Sequence, residues 1–468
     1  MVKKLSNLDA SFYYMEESTT PMHVGTLAIF QSSDDEQLDY DSLLNLVEER
    51  IGLVPQYRQK VREVARGLGR PIWIDDADFD ITYHVRRSAL PRPGDDEQLH
   101  DLIARLVSRP LDRSRPLWEM YLVEGLSAGR SAIFIKSHES LVDGIENMEI
   151  GQVIFDRKPR PAELSDDLWM PEREPGDLRL VAGAVMDLVS RPRDGVHTLR
   201  MATKDVSATV GKVAQGAGKV ASMVWSAAST APTSPLNVTI SRNRRYAVAA
   251  SSLDEFRRIR ARYGCTVNDV VLSVITGALR NWLVSRGEPV SASSTVRALV
   301  PMAVYLEGSI DGTGGEARRN VSSFLIDLPV GEPNPVVRLS QVAHATEVHA
   351  HSGRSVDAGT LVQLSGFAPA TLHAMGARVA SSFPQRVFNL IVTNAPGPQS
   401  PLYSAGVRMT EMYPVPPLVK NQALSIGVTS YNGRIYFGLN ADRGAMSDVD
   451  VFASMLAESL DELREACS

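Results

Sequence analysis

A long interruption divides this sequence into two halves, and it limits the folds that the chain can adopt. From about residue 157 to residue 245, the proline-rich stretch RKPRPAELSDDLWMPEREPGDL leads into long segments of Ala, Val, Gly, Ser and Thr. Strand and helix patterns are mixed on both sides of it. The 468 residues also exceed the ~100–200 usual for one domain. We therefore predict two α/β domains, 1–180 and 230–468, joined by a helical crossover over 181–229.

Local patterns place several elements. The run HVGTLAIF (23–30) reads as a strand, and YDSLLNLVEERI (40–51) reads as a helix capped by Asp41. LWEMYLVEGL (117–126) and SAIFIKSH (131–138) predict neighbouring strands joined by a short turn. The sequence YNG before RIYFG predicts a tight hairpin in the second half. Both halves are therefore expected to contain sheets flanked by helices.

Composition removes several classes of protein. The net charge of −6, with no compensating Lys/Arg block, argues against binding nucleic acid. The chain has two cysteines, too few for a disulfide scaffold or a cysteine-rich metal site, and we predict no metal. The N-terminal lysines precede no apolar stretch, and the run VVLSVITGAL is too short to span a bilayer. We predict a cytoplasmic protein and leave peripheral membrane contact open.

The stretch KSHESLVDG contains the residues best suited to catalysis. His138 and Glu139 follow directly from an apolar strand, and Asp143 and Gly144 follow after a short loop. The end of a strand is a place where side chains can face a cleft. Histidine is the usual general base near neutral pH because its unperturbed pKa is ~6.5. An isolated histidine is more often structural, so spacing alone leaves both interpretations open.

The sequence KSHESLVDG resembles the His-His-x-x-x-Asp-Gly motif of the bacterial wax ester synthase/diacylglycerol acyltransferase family. That family belongs to the CoA-dependent acyltransferases, with chloramphenicol acetyltransferase and condensation domains. The resemblance extends along the chain. The matching segments are LSNLDASFYYMEESTTPMHVGTLAIF, RPLDRSRPLWEMYLVEGL, TVNDVVLSVITGALRNWL, VRALVPMAVY and NLIVTNAPGPQSPLYSAGVRMTEMYPVPPL.

This resemblance implies an α/β fold of two chloramphenicol-acetyltransferase-like domains, with mixed sheets flanked by helices and a substrate tunnel between them. It implies transfer of a long-chain acyl group from acyl-CoA to diacylglycerol or a fatty alcohol, with no cofactor other than acyl-CoA as substrate. The expected partners are acyl-CoA and a lipid alcohol, with contact to a membrane or lipid droplet left open. By resemblance, Asp143 and Gly144 shape the site, and Arg297 is a plausible ionic partner of Asp143.

One departure from the family motif falls at its centre. The second histidine, which serves as the general base in the family, is replaced by Glu139, and the first is kept as His138. The unperturbed pKa of a glutamate, ~4.3, is about two units below that of histidine, and burial in an apolar tunnel can recover much of that difference. His138 is the alternative base, although neighbouring strand residues point to opposite faces. A third interpretation is a catalytically lapsed protein that binds fatty acid or acyl-CoA.

Two further segments are expected near the site. Asn268 and Asp269 follow Thr266 at the predicted start of a helix, where such residues cap free backbone amides. The resemblance places this pair near the acyl-transfer centre, and both roles are compatible. Asn394, Pro396 and Gly397 lie in a stiff, proline-rich segment that follows a buried strand. We predict these five residues as tunnel-lining positions.

Overall fold

The computed structural model of the protein describes residues 3–5, 9–10, 13–14, 16–32, 37–64, 69–141, 150–159, 169–176, 180, 231–304, 320–351 and 387–467. The strands are β1 (His23–Gln31), β2 (Gln59–Val64), β3 (Gly69–Asp75), β4 (Val85–Ala89), β5 (Trp118–Glu124), β6 (Arg130–His138), β7 (Arg244–Ser252), β8 (Val296–Val304), β9 (Asn320–Leu328), β10 (Leu390–Pro396), β11 (Tyr403–Ser404), β12 (Val407–Val415), β13 (Leu424–Tyr431) and β14 (Arg434–Asp442). The helices are α1 (Tyr40–Arg50), α2 (Ile81–His84), α3 (Asp96–Ser108), α4 (Ile150–Ile154), α5 (Leu253–Tyr263), α6 (Val267–Ser285), α7 (Pro335–His351) and α8 (Val449–Ala466). Short 3-10 turns occupy Ile51–Leu53, Pro55–Arg58 and Ser127–Gly129.

Within these ranges the strands form two six-stranded mixed sheets and a small ribbon of β2 and β3. The first sheet has the order β11-β12-β1-β6-β5-β4, in which only the β4–β5 pair is parallel. The second has the order β7-β14-β13-β10-β8-β9, in which β13, β10 and β8 are parallel. The predicted α/β class with mixed sheets and flanking helices is confirmed.

The strand β12 joins the two halves of the chain. It follows β10 in sequence, yet it pairs antiparallel with β1, so that Met412 lies opposite Ala28. Its far end packs on the second sheet, where Pro414 contacts Gly427 of β13 and Gly438 of β14. Sheet membership therefore does not follow the predicted boundary at residue 230. The boundaries stay a prediction, and the crossover 181–229 lies outside the described residues.

Two hydrophobic cores correspond to the two sheets. The first surrounds β1, β5 and β6 and includes residues of β12, and the second surrounds α6 and the parallel strands. Helix α6 begins with a reciprocal capping box between Thr266 and Asp269. Asp39, and not the predicted Asp41, caps α1 by accepting from the Ser42 amide at 2.9 Å. Among the residues described, no helix is both long enough and apolar enough to cross a bilayer.

Candidate functional site

The motif histidine is the last residue of β6 and begins a tight turn. His138 lies opposite His23 of β1, and its carbonyl accepts from the Leu141 amide at 2.9 Å. Its own amide donates to the Leu117 carbonyl at the same distance. Because both backbone groups are hydrogen-bonded, the position at which β6 ends and the turn begins is well defined. Residues 139–141 thereby follow the end of β6, a central strand of the first sheet.

Both ring nitrogens of His138 have defined neighbours. The Ser140 amide donates to Nδ1 at 3.1 Å, and the Ser140 hydroxyl lies 2.7 Å from the same atom. Because a nitrogen that accepts from an N–H carries a lone pair, the neutral ring holds its proton on Nε2. Nε2 faces the Glu16 carboxylate at 3.9 Å. The ring therefore contacts its own turn on one side and the N-terminal segment on the other.

Glu139, which takes the place of the family's second histidine, is fully buried. Its side chain has 0% relative exposure, and its amide donates to the Met22 carbonyl at 3.0 Å. The turn is therefore hydrogen-bonded to the residue that precedes β1. Burial of a carboxyl group costs free energy, and ionisable groups in strongly perturbed surroundings cluster at functional sites. Asp143 and Gly144 lie outside the described residues.

A polar cluster surrounds the His138 ring, and we call it the Glu16 cluster: Tyr13, Glu16, His23, Arg113 and His138. Glu16 lies 3.6 Å from His23 Nε2 and accepts two hydrogen bonds from Arg113, at 2.6 and 3.0 Å. The rings of Tyr13 and His23 pack edge-on against that of His138, with centroids 6.4 and 6.3 Å away. Burial holds the pKa of His23 well below its usual value. His23 is therefore neutral at physiological pH.

A buried ionic network lies two residues before His138, on the same face of β6. Lys136 pairs with Glu119 of β5 at 2.9 Å, and Arg86 of β4 approaches the same carboxylate at 3.2 Å. Tyr121 donates to Glu119 at 2.8 Å, and Lys136 also donates to two carbonyls at the end of α3. Burial lowers the pKa of Lys136, and Glu119 opposes that shift. This network ties β6 to β5, β4 and α3 next to the motif.

In the second half, the predicted pair at the start of α6 makes two tertiary contacts. Asp269 accepts from the Thr266 amide at 2.8 Å within the cap, and its other oxygen accepts from the Thr346 hydroxyl of α7 at 2.6 Å. Asn268 accepts from the Asn394 side chain at 3.1 Å. Two predicted positions from separate segments of the chain are therefore hydrogen-bonded to each other, while their place in a tunnel stays a prediction. They meet where α6 begins and the parallel strand β10 ends.

The segment after β10 lies against both sheets. Pro396 is exposed, while Gly397 is half-buried and its amide donates to the Ser430 hydroxyl at 3.3 Å. A Cβ at Gly397 would lie 2.3 Å from the Ser430 carbonyl and 3.2 Å from Met412 Cε of β12. A glycine is therefore required there for the close approach of the two backbones. This loop reaches the crossing strand of the first sheet.

Arg297 lies on β8 and forms a two-pronged ion pair with Asp327, its cross-strand neighbour on β9. The Nε–Oδ1 and Nη2–Oδ2 distances are 2.6 and 2.9 Å. The bidentate geometry is the strong form of an arginine–carboxylate contact. The predicted pairing of Arg297 with Asp143 stays a prediction, because Asp143 lies outside the described residues.

The site residues thus fall into two groups. His138 and Glu139 form one, and Asn268, Asn394 and Gly397 form or adjoin the other. On β1, His23 lies opposite His138 and Ala28 lies opposite Met412. These two β1 residues are five positions apart, which corresponds to ~17 Å at ~3.4 Å per residue. Sequence reasoning missed Glu16 and Arg113, whose link to the motif carries no spacing signal.

Two family models match this chain. The model of the "Wax ester synthase/diacylglycerol acyltransferase catalytic domain" matches residues 5–271, and that of the "WS/DGAT C-terminal domain" matches 320–464. The Glu16 cluster, the turn with Glu139 and the start of α6 all fall within the first match. The segment with Asn394 and Gly397 falls within the second.

Individual relatives point the same way. The probable diacylglycerol O-acyltransferase tgs3 of Mycobacterium tuberculosis is 53% identical over 266 residues, which are 57% of this chain and 98% of that protein. The probable diacylglycerol O-acyltransferase tgs1 of the same organism is 32% identical over 98% of this chain and 95% of its own length. The wax ester synthase/diacylglycerol acyltransferase of Marinobacter aquaeolei VT8 is structurally similar, with a TM-score of 0.69, 26% identity and coverage of 99% and 100%. A condensation domain of rhizomide synthetase shares the fold at a TM-score of 0.54, 13% identity and coverage of 100% and 94%. This chain belongs to the wax ester synthase/diacylglycerol acyltransferase family.

Proposed function

We propose that this protein transfers a long-chain fatty acyl group from acyl-CoA to a lipid alcohol, diacylglycerol or a fatty alcohol, with Glu139 as general base. The product is a triacylglycerol or a wax ester. Family membership and the activity for which the mycobacterial relatives are named support the reaction. The observation that carries the choice of base is the complete burial of Glu139 at the motif position of the second histidine.

The geometry of His138 argues against it as the base. Its Nδ1 accepts from the Ser140 amide, and its Nε2 holds the proton of the neutral ring and faces Glu16. A general base must present a lone pair within hydrogen-bonding reach of the substrate hydroxyl. In the described geometry both edges of this ring are directed at protein groups. We therefore assign His138 a positioning role and Glu139 the proton transfer.

The reaction then needs one proton acceptor and no acyl-enzyme. Glu139 takes the proton of the acceptor hydroxyl as its oxygen attacks the thioester carbonyl carbon. The tetrahedral intermediate collapses, the carbon–sulfur bond breaks, and the CoA thiolate recovers the proton from Glu139. The carboxylate is regenerated in each cycle, so the protein requires acyl-CoA as a substrate and no further cofactor.

The substrates also suggest where the protein works. An acyl chain needs an elongated apolar channel, and we place it between the two halves, where the loop at Gly397 reaches β12. Diacylglycerol, fatty alcohols and their esters reside in membranes or lipid droplets. We therefore propose peripheral contact with such a surface on its cytoplasmic side.

An acyl-transfer assay tests this proposal. The purified protein is given palmitoyl-CoA with diolein or hexadecanol, and both released CoA and the lipid ester are measured. Wild type should form ester, and Glu139→Gln, which keeps the shape and removes the proton acceptor, should lower turnover by ~10²–10⁴. Glu139→His restores the family motif and should keep or raise turnover.

Two results would count against it. Ester formation by Glu139→Gln at the wild-type rate would remove Glu139 as the base. No ester from wild type with any alcohol, together with calorimetric binding of palmitoyl-CoA, would identify an acyl-CoA-binding protein without transferase activity. In that case partial rescue by Glu139→His would locate the loss at this position.

A further inference from the structure

The N-terminal segment places a carboxylate beside the motif histidine. Glu16 precedes β1, and its side chain is only 10% exposed. Oε2 lies 3.9 Å from His138 Nε2, and Oε1 lies 3.6 Å from His23 Nε2. The next residue, Glu17, differs sharply, because it pairs with Lys420 at 2.8 Å and both side chains are more than half exposed. Two adjacent acids therefore have different environments.

Arg113 fixes the orientation of the Glu16 carboxylate. Its Nε and Nη2 donate to Glu16 Oε2 at 3.0 and 2.6 Å, and Nη2 also donates to the Tyr13 carbonyl at 2.7 Å. The guanidinium carbon lies 4.4 Å from the centroid of the Tyr13 ring. Charge-assisted hydrogen bonds of this kind are strong and directional. The carboxylate is therefore a fixed group in front of His138.

His23 does not compete with His138 for this carboxylate. The Leu111 amide donates to His23 Nε2 at 3.4 Å, so the lone pair of this nitrogen is directed at Leu111 and the nitrogen has no proton to offer Glu16. Burial lowers the pKa of His23, which keeps the ring neutral. Of the two described imidazoles next to Glu16, only His138 has its proton on the nitrogen nearest the carboxylate, 3.9 Å from Oε2, which is an electrostatic contact and longer than a hydrogen bond. The favourable imidazole–carboxylate contact is the one with His138.

We propose that Glu16 is a positioning residue for acyl transfer: held by Arg113, it orients the His138 ring and thereby fixes the turn that carries Glu139. This inference rests on the proposed function. With Nε2 on the side of the Glu16 carboxylate, at 3.9 Å, the ring keeps Nδ1 on the Ser140 amide. Rotation of the His138 ring by 180° about χ2 would put Cδ2 in the place of Nδ1. The buried Ser140 amide would then lose this acceptor. The turn at Glu139 would then lose its side-chain support.

The test compares Glu16→Gln with the matched control Glu17→Gln. Misplacement of a catalytic group by about 1 Å can cost ~10²-fold in rate. We expect Glu16→Gln to lower kcat by about 10- to 10²-fold while the KM for palmitoyl-CoA stays within twofold. Glu17→Gln should match wild type in both constants. A role limited to substrate binding would instead raise KM at unchanged kcat.

A second measurement does not depend on activity. In protein labelled with ¹⁵N-histidine, the signals of His138 can be identified among the nine histidines by their loss in His138→Gln. Wild type should show a protonated Nε2 and an unprotonated Nδ1, and Glu16→Gln should show a mixture of tautomers. If Glu16→Gln does not fold, Arg113→Gln, which frees the Glu16 carboxylate, should give the same mixture and a lower kcat.

The outcomes separate the two proposals. Unchanged kcat and an unchanged His138 spectrum in Glu16→Gln would overturn the role of Glu16, even in an active enzyme. An altered kcat with an unchanged His138 spectrum would overturn it as well. A wild-type protein without acyl transfer would refute the proposed function, while the spectra of Glu16→Gln and Glu17→Gln would still decide whether Glu16 orients the ring.

Discussion

The contact between the two sheets at Gly438 predicts a large loss of stability from a single methyl group. Gly438 of β14 lies opposite Gly427 of β13, and Pro414 of β12 packs over both. A Cβ at Gly438 would lie 1.7 Å from the Pro414 carbonyl oxygen, whereas even a close carbon–oxygen contact needs ~3.3 Å. The Gly438→Ala substitution therefore forces β12 away by about 1.6 Å. That movement also breaks the buried hydrogen bond, 3.0 Å long, from the Tyr246 hydroxyl to the same oxygen.

The cost follows from two contributions. Overpacking of a well-packed core costs ~1–3 kcal/mol, and a buried hydroxyl left without its partner costs ~1–3 kcal/mol. Together Gly438→Ala should lose about 2–6 kcal/mol of the ~5–15 kcal/mol typical of native proteins. Urea unfolding measures this loss, with Gly176→Ala as the control. A Cβ at Gly176 would meet nothing within 4 Å, and the Gly-to-Ala change reduces the conformational entropy of the unfolded chain in both variants. Equal stability of the two variants would refute the inferred contact.

Two further substitutions probe buried charges. Lys136→Met leaves Glu119 with Arg86 as its remaining described cation, so we expect a loss of about 1–3 kcal/mol in urea unfolding, below the ~3–5 kcal/mol for a carboxylate left alone. Adding Glu119→Gln to Lys136→Met should recover part of the lost stability. A Lys136→Met variant as stable as wild type would contradict this account. Burial raises the pKa of Asp442, but hydrogen bonds from Ser241 and two loop amides outweigh it and hold the pKa below its usual value. Its stabilising effect is then present above the unfolded pKa of ~3.9 and is lost as the pH falls through the lower folded value. Asp442→Asn should therefore unfold at a lower urea concentration than wild type at pH 7, and the urea midpoints of the two proteins should converge below pH ~4. A difference between the midpoints that does not vary with pH would exclude this linkage.

Local sequence was sufficient to predict elements whose cause is local. The strand over 23–30 follows from its apolar, β-branched composition, and it is β1. The hairpin at YNG forms because Asn432 and Gly433 adopt φ values of 45° and 81°, which such residues tolerate. The Thr266 cap was predicted by its residue type. The cap of α1 was misplaced by two residues, because Asp39 and Asp41 both suit an N-terminus and only the backbone geometry distinguishes them.

Contacts between distant segments could not be predicted in the same way. The residues of β12 form a strand by local pattern, but nothing local indicates that β1, almost 400 residues earlier, is the partner. The same holds for Glu16, which is one of two adjacent acids in a polar segment. Its burial depends on Arg113, almost 100 residues away, and on the end of β6. Neither arrangement has a sequence period that pattern analysis could detect.

The replacement of histidine by Glu139 therefore has to be judged with the groups that hold its turn. These groups come from three separate segments: Glu16 and Met22 precede β1, Arg113 precedes β5, and His138 ends β6. A glutamate has one more side-chain torsion than a histidine, so more conformational freedom must be restrained before its carboxylate meets a substrate hydroxyl. A firmly held turn fixes the backbone of Glu139, so that only its side-chain torsions remain to be restrained. If Glu139 is the base, loss of Glu16 should consequently reduce turnover more in the wild type than in Glu139→His, whose stiffer side chain depends less on the turn. Equal effects of Glu16→Gln in the two backgrounds would show that the turn does not limit the position of the base.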